Sequence, residues 1–320
     1  MKYTTLGKKS KTPHKKTIKK ELKTLNCSPA VKGKTVKKDS CLTPPILEKI
    51  KKAYNQSHKE NPILSKHPEE TWDHLKDRFS CDSEMCWIDQ LQDNELKSHI
   101  KKFQFAPKKP VEWKGHKEED TWISNFDIKD VLRQYEVKYP YFILIEPTTM
   151  DFDARPKEKG GQCVLPDLCE FSLKGWLDKK KTKIAISINL AKYYEGGEHW
   201  VSLFVDIENH FIFYFDSGGD AIPMEVQVLI DRIKKQGVEL EGNPIHFKVY
   251  DNKGNRHQEF NTECGMYSMF FFITMLTGKV SLKGKGIEQE LPLKKRIDLF
   301  LKKKIPDRMM IQQRDLYFND

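Results

Sequence analysis

The chain has 320 residues, 38% hydrophobic and 32% charged, with 56 Lys and Arg against 46 Asp and Glu for a net charge of +10. That length suffices for one sizeable domain with appendages or for two domains, and the basic excess, much of it near the N-terminus, points to an acidic partner. Neither a secretory leader nor a membrane span is expected, because the N-terminus is lysine-rich without an apolar core and the longest apolar block, near Met269 and Met275, is too short to cross a bilayer.

Residues 1–42 are rich in Lys, Thr, Ser and Pro and lack apolar periodicity, so burial cannot offset their ordering entropy and a basic disordered tail is predicted. Such a tail suits nucleic acid or a localisation receptor, or it simply solubilises the chain. With only Tyr3 among the lysines, base stacking has little support. From 43 to 110 the apolar spacing is helical. Thr43-Pro44-Pro45 opens a helix carrying Ile46, Leu47, Ile50 and Tyr54. A second start at His67-Pro68 leads to Trp72, Leu75 and Phe79, and a third stretch carries Cys86, Trp87, Ile88 and Leu91 towards Ile100. This region reads as a helical N-terminal arm. Seven cysteines without a leader suggest mostly free thiols in a reducing compartment, and a protein that is not secreted. Cys81 and Cys86, with His74 nearby, make a weak zinc set because no second cysteine pair follows at ligand spacing, and no metal is expected.

Pro107 and Pro110, among lysines, mark a boundary. Residues 111–320 then read as one domain of mixed helix and strand. Ile128, Val131, Leu132 and Tyr135 share a helical face. Residues 141–145 form an apolar strand closed by Pro147, Leu173 and Trp176 lie in a short helix, and 184–190 form a second strand. Residues 199–206 alternate, Glu208-Asn209 turns the chain, and 210–215 return, which predicts a β-hairpin. An amphipathic helix follows Pro223 and stops at Gly237. Residues 245–250 are a further strand. A strongly apolar helix begins near Cys264, capped by Asn261 or Thr262, and ends at Gly278. Two more helices are predicted, near 294–303 and around Met309, Met310 and Leu316.

Four residues at the edges of these elements carry chemistry. A cysteine attacks a carbonyl as its thiolate, which a helix N-terminus and a neighbouring imidazolium both favour. Cys264 stands where the polar Asn261-Thr262-Glu263 meets the apolar helix. His199 opens the first hairpin strand and Asp216 follows the second, so antiparallel pairing sets both at one edge of a sheet. There Asp216 can orient the imidazole. Gln258 can donate its side-chain N–H to a developing oxyanion, beside the backbone N–H of Cys264. Gly265 permits close approach at the helix start. Singly, each has an ordinary structural explanation, and their joint order and placement carry the reading.

Gly197-Glu198-His199-Trp200-Val201, then Phe215-Asp216-Ser217, then Gln258 through Asn261-Thr262-Glu263-Cys264-Gly265 resemble, in order and spacing, the cysteine proteases that include the SUMO-specific proteases and the adenovirus protease. Trp122-Ile123-Ser124-Asn125 resembles the Trp-Leu-x-Asp opening of that domain, with Asn125 where the SUMO proteases commonly carry an acid. The likeness spans about 122–276. Within this group the helical arm, the loop of Pro147 to Asp153 and the closing Arg314-Asp315-Leu316-Tyr317-Phe318 are most similar to polyprotein-processing proteases of large cytoplasmic DNA viruses, such as that of African swine fever virus.

The resemblance implies an α+β fold, a central mixed β-sheet flanked by helices, with a Cys-His-Asp triad and no cofactor. It implies substrates with Gly-Gly at the scissile end, because only glycine, lacking Cβ, passes between two tryptophans, here Trp122 and Trp200. Asn125 would be a further substrate contact. The expected function is cleavage of viral structural precursors during virion maturation, in the virion and host cytoplasm. A SUMO- or ubiquitin-like isopeptidase is the alternative on the same fold. A nucleic-acid-binding virion protein on an inactive protease fold is the alternative of another class, favoured by the basic tail.

Overall fold

The computed structural model describes residues 21–113, 121–281 and 288–320. Most of the predicted tail, residues 1–20, lies outside them. From residue 21, however, the chain is folded rather than disordered. It runs in turns against a helical unit of α1 (Pro44–Ser57), α2 (Pro68–Arg78), α3 (Glu84–Trp87) and α4 (Asn94–Gln104). Leu47, Ile50, Leu75, Trp87, Ile100 and Phe105 form the core of this unit. The buried carboxylate of Glu84 holds the segment down, accepting from Ser40 Oγ at 2.5 Å, from the Cys41 N–H at 2.8 Å and from the Trp72 indole N–H. Sequence periodicity misses this contact because the apolar residues of 21–42 pack individually and not along one helical or strand face. The single predicted third helix is broken by a short 3-10 turn into α3 and α4.

The cysteines also depart from expectation. Cys27–Cys41, Cys81–Cys86 and Cys163–Cys169 are disulfides with Cα separations of 5.0, 5.8 and 6.6 Å, within the range that a bridge requires. Cys264 is the free thiol. The inference of a reducing compartment from free thiols therefore loses its premise, and Cys81 and Cys86 are joined to each other.

The second unit begins with α5 (Asn125–Lys138), started by a capping box in which Ser124 and Asp127 satisfy each other's backbone N–H. It leads into β1 (Phe142–Thr149), α6 (Pro166–Cys169), α7 (Leu173–Asp178), β2 (Lys183–Asn189), β3 (Trp200–Asp206), β4 (Phe211–Phe215), α8 (Met224–Val238) and β5 (Lys248–Asp251). Next come α9 (Cys264–Thr277), a small hairpin of β6 (Lys279–Ser281) and β7 (Glu288–Glu290), α10 (Leu293–Lys302) and α11 (Asp307–Tyr317). The five-stranded sheet has the order β1-β2-β3-β4-β5. Its outer pairs are parallel and its inner pairs antiparallel, so the sheet is mixed, as expected.

Helices cover both faces of the sheet. On one face α9 packs with α5 and α10 against Phe204, Phe213 and Phe215. On the other, Val226, Leu229, Ile230 and Ile233 of α8 cover Ile186, Leu203 and Ile212. Helix α9 is buried along residues 264–276, which explains a sequence apolar on all sides. It ends where Gly278 takes φ 72°, the left-handed stop that glycine adopts without a Cβ penalty.

Candidate active site

The β3–β4 hairpin does what its pattern predicts. Ser202 pairs with Phe215, so His199, just before β3, and Asp216, just after β4, emerge at the same edge. His199 Nε2 lies 2.6 Å from Asp216 Oδ1. The Cys264 side chain acts on the same imidazole and favours its charged form. Cys264, 3% exposed, is the first residue of α9, where the unpaired N–H groups of the first turn favour negative charge. The structure thus brings His199, Asp216 and Cys264 together from a hairpin and a helix start.

Gln258 is buried, and its Oε1 accepts from Ser217 Oγ at 2.7 Å. That bond fixes which end of the amide is turned away from Ser217, namely the N–H2 group that can serve as a donor. Its own backbone N–H donates to the Ser217 carbonyl at 2.9 Å. His199 and Gln258 line one cleft of about 490 Å³ together with Glu198, Gly218, Arg256 and Phe260. Phe260 stands on its rim with 71% of its surface exposed.

Asp216 is fully buried. Burial alone would raise its pKa, but the bond to His199 and the N–H groups of Gly218 and Asp220 outweigh it and hold the carboxyl below its ordinary value. For His199, burial works against the charged form, yet the bonds to Asp216 and Cys264 prevail and lift it from 6.5 to about 10. The imidazole is accordingly cationic at neutral pH. Because the folded-state pKa is raised, its contribution to stability is complete below about pH 6.5 and is lost as pH rises through about 10. Urea unfolding between pH 7 and 10 should show this decline in the native chain and lose it in His199→Gln. An equal slope in both proteins would refute the His199 assignment as its source.

Trp200 is half-buried, and its indole N–H donates to the Ile123 carbonyl at 2.9 Å. Trp122, the neighbour of Ile123, is 48% exposed. A Cβ built on Gly265 would meet Ile123 Cβ at 2.6 Å. The start of α9 therefore touches the segment that carries one tryptophan and anchors the other. Gly265→Ala must push Ile123 away, an overpacking expected to cost about 1–3 kcal/mol and to displace Trp200 relative to Cys264. Unchanged melting together with unchanged thiol reactivity towards a glycine-derived probe would refute this contact as a spacer. Asn125 is the first residue of α5 and is exposed.

Several residues that position the site carry no signal of their own in the sequence. Asn189, at the end of β2, accepts from the Glu198 N–H at 3.0 Å and so holds the approach to His199. Asn252 brackets Asp216, accepting from its N–H at 2.9 Å and donating to its carbonyl at 2.6 Å. Asp307, at the start of α11, accepts from the N–H groups of Glu259 and Phe260 at 3.0 and 2.9 Å and from the Tyr267 hydroxyl at 2.8 Å, tying down the loop that bears Gln258. Glu263, the residue before Cys264, does not cap α9 with its side chain. Its carboxylate instead takes two bonds from Arg314, at 2.8 and 3.2 Å. Both side chains are at most 1% exposed.

Comparison with known proteins agrees with this architecture. Residues 161–309 match the Ulp1 protease family, C-terminal catalytic domain. A thiol-protease relative from Acanthamoeba polyphaga mimivirus is 30% identical over 209 residues, 64% of this chain and 65% of the relative, so the chain spans slightly less than two thirds of that relative's length. A SUMO-1 cysteine protease of African swine fever virus is 27% identical over 244 residues, 71% of this chain and 87% of the relative. The crystal structure of the African swine fever virus protease superposes with a TM-score of 0.59 at 20% identity, over 93% of this chain and 97% of that one, and shares the fold. A mixed five-stranded sheet flanked by helices, the match over residues 161–309 and these relatives together make the chain similar to the cysteine proteases of the Ulp1 family.

Proposed function

We propose that the chain is an endopeptidase that cleaves at Gly-Gly sites through Cys264, His199 and Asp216. The observation that supports this most directly is the imidazole of His199 bonded to the buried Asp216 at 2.6 Å, with its charged form favoured also by Cys264 at a helix start. In this reading the sulfur of Cys264, as thiolate, attacks the scissile carbonyl. The oxyanion is met by the Gln258 side-chain N–H2 and the Cys264 backbone N–H. The His199 imidazolium then gives its proton to the leaving amine, and a thioester remains on Cys264. Water attacks the thioester, losing its proton to His199, and the acid product leaves with the thiolate restored. Asp216 keeps the ring in position and supports its positive charge.

Trp122 and Trp200 supply the glycine preference by narrowing the approach to the sulfur, and Asn125 contacts the substrate beside them. The substrate class is viral structural precursors carrying Gly-Gly, cleaved in the infected-cell cytoplasm or virion, in keeping with the viral origin of the relatives. A SUMO-like modifier is the second reading, favoured by the description of the African swine fever virus relative as a SUMO-1 protease. Residues 43–110 act as a helical arm beside residues 111–320, with residues 21–42 folded against it.

Labelling of the purified chain with a Gly-Gly-derived electrophile, mapped by mass spectrometry, tests the reading. Selective modification of Cys264 that weakens in His199→Ala is expected. Slow labelling insensitive to His199 would overturn it. Parallel assays on Gly-Gly peptides and on modifier conjugates separate the two substrate classes.

A further inference from the structure

Among the described residues that line the catalytic cleft, Phe260 supplies the one apolar side chain. Glu198, Arg256 and Glu259, on the same wall, are charged and exposed. A phenyl ring left largely in water gains nothing from the fold that presents it. Its backbone is nevertheless held. The Phe260 N–H donates to Asp307 Oδ2 at 2.9 Å, and the Glu259 N–H donates to the same oxygen at 3.0 Å. Asp307 is 5% exposed and is itself fixed by the Tyr267 hydroxyl. Gln258, two residues before Phe260, is anchored to Ser217. The ring is thus carried on a tied loop at an opening that contains His199.

The path of the chain at His199 assigns this cleft to one half of a substrate. Glu198 and His199 line it, whereas the next residue, Trp200, does not, and neither does Trp122. Trp200 turns instead to Ile123, whose carbonyl takes its indole N–H, and Ile123 lies against the start of α9 at Gly265. His199 therefore stands at the junction between the tryptophans and the cleft of Phe260. With the two glycines of a substrate between the tryptophans, the residues after the scissile bond pass beyond His199 and enter the cleft.

We propose that Phe260 is a specificity-determining residue that selects an apolar side chain within the first two residues after Gly-Gly. This rests on the reading of Cys264, His199 and Asp216 as a Gly-Gly endopeptidase, and it defines the leaving side of that same site. The substrate side chain covers the phenyl face and takes both surfaces out of water, which favours binding in proportion to the apolar area buried. Because the loop is already tied to Asp307, little further order has to be imposed on the enzyme. A small polar side chain at that place leaves the ring in water. Apolar contacts discriminate between substrates by about 10–200-fold, and a ring on an open rim belongs at the lower end.

Cleavage of three otherwise identical peptides, with Leu-Ser, Ser-Leu or Ser-Ser after Gly-Gly, tests this on the full chain. One leucine peptide is expected to exceed the Ser-Ser peptide in kcat/KM by about tenfold. Phe260→Ala should bring that ratio to within about twofold, and Phe260→Leu should keep most of it. Labelling of Cys264 by a Gly-Gly electrophile, which reaches no further than the scissile position, reports separately on the catalytic machinery. It should persist in both variants, with cooperative melting. Equal cleavage of the three peptides by the native chain, a leucine preference that survives in Phe260→Ala, or loss of labelling in that variant would overturn the role of Phe260 while the protease reading stands. A native chain that neither labels at Cys264 nor cleaves any of the peptides would overturn that reading and this inference with it.

Discussion

Cys264→Ala is expected to leave a folded chain that no longer hydrolyses Gly-Gly peptides, with a fall in kcat/KM on the order of 10⁴-fold or more. The substitution is structurally mild. Alanine is the most favourable helix residue, and the sulfur occupies the first position of α9, where the change removes one buried atom and no hydrogen bond within the helix. The chemistry is lost because neither Gln258 nor the α9 N-terminus can form a covalent intermediate. The pairing of the other cysteines sharpens the measurement. Cys264 is the free thiol beside three disulfides, so the variant should also titrate with no thiol under non-reducing conditions. Peptide hydrolysis and thiol counting should fall together while the melting transition persists. Turnover surviving in Cys264→Ala would remove this residue from the mechanism, and a titratable thiol would show that a disulfide is open.

Arg314→Met should produce the largest loss of stability among single side-chain changes, about 3–5 kcal/mol. Arg314 and Glu263 are both buried and joined by two bonds, and Arg314 also donates to the Thr121 carbonyl at 2.7 Å and stacks 4.5 Å from the Trp113 ring centre. Removing the guanidinium takes two charge-assisted bonds from the Glu263 carboxylate, which is 1% exposed. The diagnostic is the double variant Glu263→Gln/Arg314→Met. Removing both charges should recover much of the loss, because the cost lies in the buried charge that has lost its Arg314 bonds more than in the absent pair. Urea unfolding of the four proteins measures this coupling. Additive losses would mean that the two side chains act separately. The single variant should also slow Cys264 labelling, since Glu263 directly precedes the sulfur-bearing residue.

The contrast between these two residues shows what could be read from the sequence. Cys264 was legible because a polar-to-apolar switch marks a helix start, and His199 and Asp216 because a hairpin's alternation and turn fix where its two ends meet. The central helix followed from the same local patterns, and the mixed sheet from the resemblance to the SUMO-specific and adenovirus proteases. Arg314 and Asp307 act on residues 51 and up to 48 positions away, and Asn189 and Asn252 look like ordinary turn residues until the chain is folded. No periodicity encodes such a partner. The order in residues 21–42 was hidden for a related reason. Asn26 bonds with Asn319 across 293 positions at 2.7 Å, and Glu84 reaches back to Ser40 and Cys41, so composition alone suggested a loose tail.

The attachment of Asp307 and Arg314 to the catalytic loop has a temporal consequence. During synthesis the ribosome adds these residues after Cys264. A nascent or truncated chain ending between 265 and 306 carries the cysteine, histidine and aspartate, yet lacks the carboxylate that gathers the Glu259–Phe260 amides and the guanidinium that neutralises Glu263. The loop that bears Gln258 and the residue before Cys264 therefore gain these partners only once α11 has been made and docked.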